Sequence, residues 1–317
     1  MNSKTSFRRL PHSAFRLLAH LHPHIRISPF ISQEWRRLLA DTPKTEIDIA
    51  NLPSFWLSGA KDLRYFDSGR AALSACLKFL RLKSFDEVLI ETTTGGAYIS
   101  SCVRNTIEET CRWSRIFSTR TKLILVIHEF GFPYPRPKMD KLRKMNIPIM
   151  EDCAHSFGTR VEGNAVGEDG HFAIYSLTKY FPIPFGGCLL AKEKLDSRIQ
   201  CTALSYAQQN LMKRTVNNSI PHFHSWNEIR RDNWRWFARN LKFHGHDPYF
   251  NLPRGVVPGV FVTKGPGSFA GERVKINLSQ AGIESTQYYH MGGFYFPVHQ
   301  FLTDFEKEYI LRYYLGI

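Results

Sequence analysis

Two ionisable side chains, Asp152 and Lys179, each follow an apolar run that is typical of a buried strand. The run 147–150 precedes Glu151 and Asp152, and the run 172–175 precedes Ser176-Leu177-Thr178-Lys179. The carboxyl ends of parallel strands meet at one edge of a sheet, and ligands bind there because the loops vary while the sheet holds them in place. An Asp and a Lys brought together at such an edge suit a cofactor that carries a basic ring nitrogen and an aldehyde.

Apolar runs alternate with helical patterns through the middle of the chain. Strands are predicted at 88–90, 123–127, 147–150, 172–175 and 187–191, and helices at 69–80 and 138–145. This alternation predicts an α/β fold in which helices cover both faces of a mainly parallel central sheet.

The pattern changes after residue 195. It is helical to about residue 250, and it then predicts a strand near 260–262, a helix near 273–280 and a closing helix capped at Thr303. We therefore expect an N-terminal arm at 1–60, a large α/β domain at 61–195 and a smaller C-terminal α+β domain at 196–317.

A polar turn opens the helix predicted at 69–80. Ser68 is suited to cap this helix, and Gly69 and Arg70 follow it. Free backbone N–H groups, the helix dipole, a hydroxyl and a guanidinium converge at such a turn, and together they favour an anion. The alternative is an ordinary N-cap beside a surface arginine, and the motif alone does not decide between the two.

The composition indicates a folded protein with a basic surface. The 317 residues carry a formal net charge of +14, and 43% of them are hydrophobic. A basic surface attracts nucleotide phosphates, nucleic acid and acidic lipid alike, so a non-catalytic basic protein is the rival class. No apolar run approaches the roughly 18 residues of a membrane-spanning helix, so no transmembrane segment is predicted.

The cysteines, the histidines and the N-terminal composition bear on the location of the protein and on metal binding. The six cysteines form no CxxC pair, so we expect reduced thiols and a cytoplasmic location. Histidine pairs such as His222 and His224 lack a Cys or carboxylate to complete a ligand set, so no metal site is predicted. The first 33 residues contain no acid, as in a transit peptide. The favoured interpretation is a basic arm packed on the domain or on a partner subunit.

Five motifs, in order along the chain, resemble the DegT/DnrJ/StrS family of nucleotide-sugar aminotransferases. These enzymes have the aspartate aminotransferase fold, which is fold type I of the pyridoxal 5'-phosphate (PLP) enzymes. The motifs are DSGRAAL at 67–73, EDCAHSFGT at 151–159, a turn with Gly163 and Gly167, Lys179 followed by Gly186-Gly187, and Gly282-Ile283-Glu284 with the later FPVHQFLT. They extend over most of the chain, from about residue 66 to about residue 312.

The resemblance implies a role for each candidate residue. Lys179 would form the Schiff base with PLP, and Asp152 would pair with the pyridine nitrogen. His155 would lie beside the ring, where it would stack or hydrogen bond to the phenolic oxygen. The cofactor's phosphate would be held by Ser68, Gly69, Arg70 and Ser176.

The reaction and the partners also follow from the resemblance. It implies an aminotransferase that moves an amino group from an amino acid, with glutamate the expected donor, to the keto sugar of a nucleotide sugar. The product would serve cell-surface polysaccharide or related glycan biosynthesis, and the enzyme would be a homodimer with no nucleic-acid partner. Two alternatives stay open: a lyase or aldolase on the same fold, and a catalytically degenerate basic regulator or nucleic-acid-binding protein.

One turn departs from the family pattern. The family commonly has an aromatic residue there that stacks on PLP, whereas this chain has Thr94-Gly95-Gly96. Tyr98 and His155 are the candidate replacements.

Overall fold

The computed structural model describes residues 23–40, 60–196, 204–265, 268–288 and 292–317. Most of the predicted N-terminal arm, at 1–22 and 41–59, therefore lies outside the described residues. The helices, numbered in chain order, are α1 (Ser32–Ala40), α2 (Gly69–Phe79), α3 (Ser101–Glu108), α4 (Arg136–Arg143), α5 (Tyr206–Ser219), α6 (Phe223–Lys242), α7 (Ser268–Gln280) and α8 (Asp304–Leu315).

The strands are short, as is usual for a sheet packed between helices. They are β1 (Asp62–Phe66), β2 (Glu87–Thr92), β3 (Arg112–Ser114), β4 (Thr121–Ile127), β5 (Ile149–Asp152), β6 (Arg160–Val161), β7 (Asn164–Ala165), β8 (Phe172–Ser176), β9 (Gly187–Ala191), β10 (Val260–Val262), β11 (Thr286–Tyr288) and β12 (Gly293–Pro297). Single 3-10 turns follow β4 at Glu129–Gly131 and β8 at Leu177–Lys179.

The main sheet has seven strands in the order β1-β9-β8-β5-β4-β2-β3. The pairs β3–β2, β2–β4, β4–β5 and β5–β8 are parallel. Only β9 is reversed, because it pairs antiparallel with both β8 and β1. The prediction of a mainly parallel α/β sheet is confirmed.

Alternate residues of the central strands bury themselves against opposite layers of helices. Val88 and Ile90 of β2 pack in one cluster with Leu73 and Leu77 of α2. Leu89, between them, packs in a second cluster with residues of α4. Helices cover both faces, so these strands are apolar on both sides, and this explains why they read as continuous apolar runs.

A second, smaller core lies in the C-terminal part of the chain. The antiparallel sheet β10-β12-β11 packs with α6 and α8 in one cluster of buried residues. Ile25 joins this cluster and forms a parallel bridge to Ile283, so the described start of the chain belongs to the same core. The two sheets lie on either side of residue 195 in the chain, but Met212 of α5 packs on the main sheet. The domain bounds 61–195 and 196–317 stay a prediction.

Two helix starts agree with the local chemistry read from the sequence. Ser68 caps α2 by accepting the Ala71 N–H, and Thr303 caps α8 in a reciprocal capping box with Glu306. Within the described ranges, no helix is both long enough and apolar enough to cross a bilayer.

Candidate functional site

A cavity of about 510 Å³ opens at the carboxyl ends of β2, β4, β5 and β8. Each of these strands, or the turn after it, contributes to the lining. All seven residues predicted from the sequence line this one cavity: Ser68, Gly69, Arg70, Asp152, His155, Ser176 and Lys179.

Asp152 and Lys179 reach the cavity from two neighbouring parallel strands. Asp152 is the last residue of β5 and lies opposite Ile174 of β8. Lys179 ends the 3-10 turn that follows β8, where it is half-buried. The main-chain register therefore brings an acid and an amine to the same opening, as the two apolar runs predicted.

The Asp152 carboxylate is buried, and few hydrogen bonds offset the cost of burying its charge. Its Oδ1 accepts the Ala154 N–H at 2.9 Å, and the described residues provide no other side-chain bond to it. Burial raises the pKa of Asp152, against the opposing effects of the Ala154 N–H and of nearby His128. A carboxylate in this setting is stabilised by a cation that forms a hydrogen bond to it.

The turn at Ser68 and Gly69 lies directly against β9. Gly187 begins β9, and a Cβ built on it would lie 2.4 Å from the Gly69 nitrogen and 2.5 Å from the Ser68 oxygen. Only glycine permits this approach, so Gly187 fixes where the first turn of α2 meets the cavity. Arg70 is exposed at the cavity, and within the described part of the chain it forms no ion pair.

Hydroxyl groups line the cavity beside that turn. Ser68 caps α2 and also donates to Asp67 Oδ1 at 2.9 Å. The oxygens of Ser176 and Thr178 lie 3.1 Å apart, and both residues face the cavity. Thr92, at the end of β2, has a buried hydroxyl that lacks any partner within the described residues. The hydroxyls of Thr92, Ser176 and Thr178, with the N–H groups that begin α2, form a donor-rich surface suited to an anion.

His155 is held neutral at the cavity. Its Nδ1 is buried and lacks a hydrogen-bond partner among the described residues. Burial, with the nearby charges of Lys179 and Arg230, lowers the pKa of His155 to about 3. Gly259 packs so closely that a Cβ there would lie 2.8 Å from Nδ1. The imidazole is therefore a fixed, uncharged ring rather than an acid near neutral pH.

A buried pair, His128 and Glu151, lies beneath the site. His128 Nδ1 accepts the Tyr134 N–H at 3.0 Å, so the ring proton lies on Nε2, which is 2.8 Å from Glu151 Oε2. Burial raises the pKa of Glu151, but the hydrogen bonds from His128 and from the Gly170 and Gly167 N–H groups outweigh it, and the net shift is downward. This pair anchors β5 next to Asp152.

The turn after β4 forms one wall of the cavity, and no sequence motif marks it as part of the site. Glu129 Oε2 accepts the Thr94 N–H at 2.7 Å, and its Oε1 accepts the Tyr288 hydroxyl at 3.0 Å. Phe130 follows with a positive φ of 59°, and its ring lies 5.1 Å from that of Tyr295. The rule that identified Asp152, a polar residue after an apolar run, also fits Glu129 after the run 123–127. No comparable signal marks Phe130 or Tyr295.

Known proteins support the family that the motifs resemble. The model of the DegT/DnrJ/EryC1/StrS aminotransferase family matches residues 113–219. The UDP-N-acetyl-3-dehydro-alpha-D-glucosamine 3-aminotransferase of Acidithiobacillus ferrooxidans is 25% identical over 71% of this chain and 69% of its own length. The GDP-perosamine synthase of Escherichia coli O157:H7 is 28% identical over 40% of this chain, and the match spans only 39% of that enzyme.

A solved structure agrees on the fold. The proposed sugar aminotransferase Spr1654 of Streptococcus pneumoniae, in its PLP form, superposes with a TM-score of 0.66 at 16% identity, over 90% of this chain and 96% of that chain. At this identity the likeness shows a shared fold and no more. The similarity in sequence is shown by the family model and by the two relatives named above. In its fold, its ordered motifs and these matches, the chain is similar to the DegT/DnrJ/EryC1/StrS aminotransferase family.

Proposed function

We propose that this chain is a PLP-dependent aminotransferase that aminates the keto sugar of a nucleotide sugar. One observation carries the proposal: Asp152, Lys179 and the Ser68–Arg70 turn, far apart in sequence, line one cavity at the carboxyl edge of the sheet. An acid, an amine and an anion-binding helix start match the three polar features of PLP, namely its ring nitrogen, its aldehyde and its phosphate.

The residues present fit this cofactor. Asp152 is a buried acid without a cation, and a protonated pyridine nitrogen would supply one. Because position 187 is glycine, the Ser68–Gly69 turn fits closely against β9 at the cavity, and the first N–H groups of α2 would bind the phosphate there. One buried polar atom of a residue that lines the cavity, Thr92 Oγ1, lacks a partner among the described residues, and a polar ligand would provide one.

Each residue then has a defined task. Bound PLP supplies an electron-withdrawing ring that stabilises negative charge at the substrate carbon next to nitrogen. Asp152 would keep the ring nitrogen protonated, because its carboxylate would accept a hydrogen bond from the ring N–H. Lys179 Nζ would hold the aldehyde through its amine and, once free, would move the proton at the reacting carbon. Ser68, Gly69, Arg70 and Ser176 bind the phosphate, and neutral His155 packs beside the ring without competing for protons.

The substrate class rests on the relatives and on charge. Both curated relatives are named for reactions on nucleotide-linked sugars, one with GDP and one with UDP. A nucleoside diphosphate carries negative charge, and this chain has a net charge of +14. We further propose glutamate as the amino donor and a role in cell-surface polysaccharide or related glycan biosynthesis.

Assembly and location are proposals as well. The family resemblance leads us to propose a homodimer, which analytical ultracentrifugation of the purified protein would test. The cysteine pattern of the sequence supports a cytoplasmic enzyme.

The function is tested with purified protein and a panel of UDP- and GDP-linked keto sugars. The wild type should bind PLP with a yellow colour, lose that colour with glutamate and regain it with the correct keto sugar. Lys179→Ala should bind PLP without a covalent bond and complete no turnover. A protein that remains colourless with excess PLP, or that is retained on DNA at low salt without any such colour, would overturn the proposal in favour of the basic binder. Colour without glutamate turnover would favour a lyase or aldolase.

A further inference from the structure

Lys179 lies in a turn, residues 177–180, whose main chain is held by three separate segments; we call this the lysine turn. The Thr178 carbonyl accepts from Ser28 Oγ at 2.7 Å. The Lys179 carbonyl accepts from Arg230 Nη2 at 3.0 Å, and the Tyr180 carbonyl accepts from Gln300 Nε2 at 2.9 Å. Three successive carbonyls are therefore fixed by donors that are distant in sequence.

Arg230 is the unusual member of this set because it is a fully buried cation. Its side chain lies on α6 and is 1% exposed. Its Nε donates to Gln300 Oε1 at 2.8 Å, and the guanidinium lies 4.7 Å from the centre of the Tyr180 ring. Within the described residues, no carboxylate forms an ion pair with it. Burial lowers the pKa of Arg230 to about 10, so the side chain remains charged near neutral pH.

A buried charge without an opposite charge is costly, and a Met side chain of similar length would fill the same space at lower cost. Unlike Met, the guanidinium makes hydrogen bonds of fixed direction. It joins Gln300 and the Lys179 carbonyl at once, and it stacks over the ring of Tyr180, the residue that follows the lysine. Gln300 in turn donates to the Tyr180 carbonyl, so the two side chains fix the two successive peptide groups that follow Lys179.

We propose that Arg230, supported by Gln300, is a positioning residue that fixes the main chain of Lys179 so that its amine points into the cofactor cavity. The inference rests on the proposed function, because it assigns Arg230 a part in the chemistry of that amine. Arg230 does not line the cavity, so it contacts neither the cofactor nor the substrate. Its effect reaches them through Lys179.

The charge of Arg230 has a second effect at the same place. After burial and the charge of Lys179, it is the next cause that lowers the pKa of His155. The residue therefore influences both the orientation of the amine and the protonation of the neutral ring beside it.

The chain provides a matched control on the same helix. Arg231 is 9% exposed, and its Nη1 donates to the carbonyls of Pro253 at 3.1 Å and of Val256 at 2.5 Å. It is thus a neighbouring buried guanidinium that also bonds main-chain carbonyls, but those carbonyls lie away from the lysine turn. Arg231→Met reports what the loss of such a guanidinium does to the fold alone.

The experiment compares Arg230→Met with Arg231→Met in the full chain. Borohydride trapping followed by peptide mass spectrometry measures how fast Lys179 joins added PLP. We expect about a 10- to 100-fold slower attachment in Arg230→Met, the effect of displacing a reacting group by roughly 1 Å. We also expect a matching fall in kcat with KM for the nucleotide sugar unchanged. Arg231→Met should attach PLP within about threefold of the wild type, a difference below 1 kcal/mol in the barrier.

A second experiment tests whether the effect of Arg230 on PLP binding depends on Lys179. In a Lys179→Ala background, where PLP binds only non-covalently, Arg230→Met should leave the PLP dissociation constant within about threefold, again under 1 kcal/mol. If Arg230→Met does not fold, Arg230→Lys carries the same test, because a single ammonium cannot reach both acceptors as a planar guanidinium does.

Three outcomes would overturn the proposal: attachment at the wild-type rate in Arg230→Met, equal slowing in Arg231→Met, or a large loss of PLP affinity in the Lys179→Ala background. Failure of the proposed function looks different. In that case the wild type itself would show no trapped PLP on Lys179.

Discussion

Replacing Gly187 with alanine should selectively weaken binding of the cofactor's phosphate. A methyl group at this position would lie 2.4 Å from the Gly69 nitrogen and from the Ser68 carbonyl carbon. Ordinary contact needs 3.4 Å or more, so the turn and β9 must separate by 1.0 Å. Gly187 pairs with Ser176 on one side and Phe66 on the other, and these ladders hold β9 in place. The movement therefore falls mainly on the Ser68–Gly69 turn.

The magnitude follows from the bonds that this turn would make. A hydrogen bond to a charged group contributes about 1.5–3 kcal/mol, so losing one should weaken PLP binding about 10- to 100-fold. Overpacking at a tight site also lowers the free energy of unfolding by about 1–3 kcal/mol. The folded state should survive this loss, because β9 remains paired on both sides.

The assay titrates PLP and pyridoxal, which lacks the phosphate, into wild-type protein and into Gly187→Ala. Only the PLP affinity should fall. Gly69→Ala is the control, because its methyl group would meet Ser176 Cβ at an ordinary 3.5 Å and should change the PLP affinity no more than about threefold. Equal losses for PLP and pyridoxal, or an unchanged PLP affinity in Gly187→Ala, would refute the assignment of this turn to the phosphate.

Two further predictions concern buried ionisable groups. Asp152→Asn removes the charge expected at the ring nitrogen, so kcat should fall by about 10²- to 10³-fold, the cost of breaking a buried pair. Glu151→Gln, one residue earlier and outside the cavity lining, should lower the free energy of unfolding instead, as chemical denaturation would show. Burial, aided by the charge of Arg230, lowers the pKa of His299 from 6.5 to about 3. In the unfolded chain the His299 imidazole takes up a proton near pH 6.5, whereas in the folded protein it does so only near pH 3. The free energy of unfolding should therefore fall as the pH drops from 6.5 toward 3, by about 2 kcal/mol at pH 5. Urea unfolding at pH 7.5 and pH 5 measures this decrease in the free energy of unfolding. The decrease should be smaller in His299→Gln than in the wild type, and in the control His244→Gln, at an exposed histidine, it should equal that of the wild type.

The sequence predicted the parts of the fold that follow a simple period. Strands such as β4 and β8 are continuous apolar runs because both of their faces are buried, and α2 and α8 begin at capping residues that the sequence displays. Edge strands gave no such signal. β1 is polar at its start and β3 has three residues without a buried side chain, so nothing distinguishes them from loops.

The candidate site shows the same division. Asp152 and Lys179 were identified because each ends a recognisable strand, and the parallel sheet then places them together. Arg230 could not be identified in this way. It lies in a helix with several arginines, and only the tertiary structure distinguishes the one that reaches the Lys179 carbonyl from Arg231 beside it. A long-range contact of one side chain leaves no period in the sequence.

The turn after β2 shows how the chain replaces a missing aromatic residue. Where the family commonly stacks a ring on the cofactor, Thr94 uses its N–H for Glu129 and its hydroxyl for Tyr288. Both Glu129 oxygens therefore accept a hydrogen bond, and the carboxylate ties the Thr94 turn to Tyr288 of the small sheet. Phe130 adopts a left-handed backbone conformation that costs about 1–3 kcal/mol, and such strain persists only where surrounding contacts hold it. Both candidate replacements, Tyr98 and His155, line the cavity, and further aromatic surface comes from Phe130 in the turn after β4 and from Tyr295 of the small sheet.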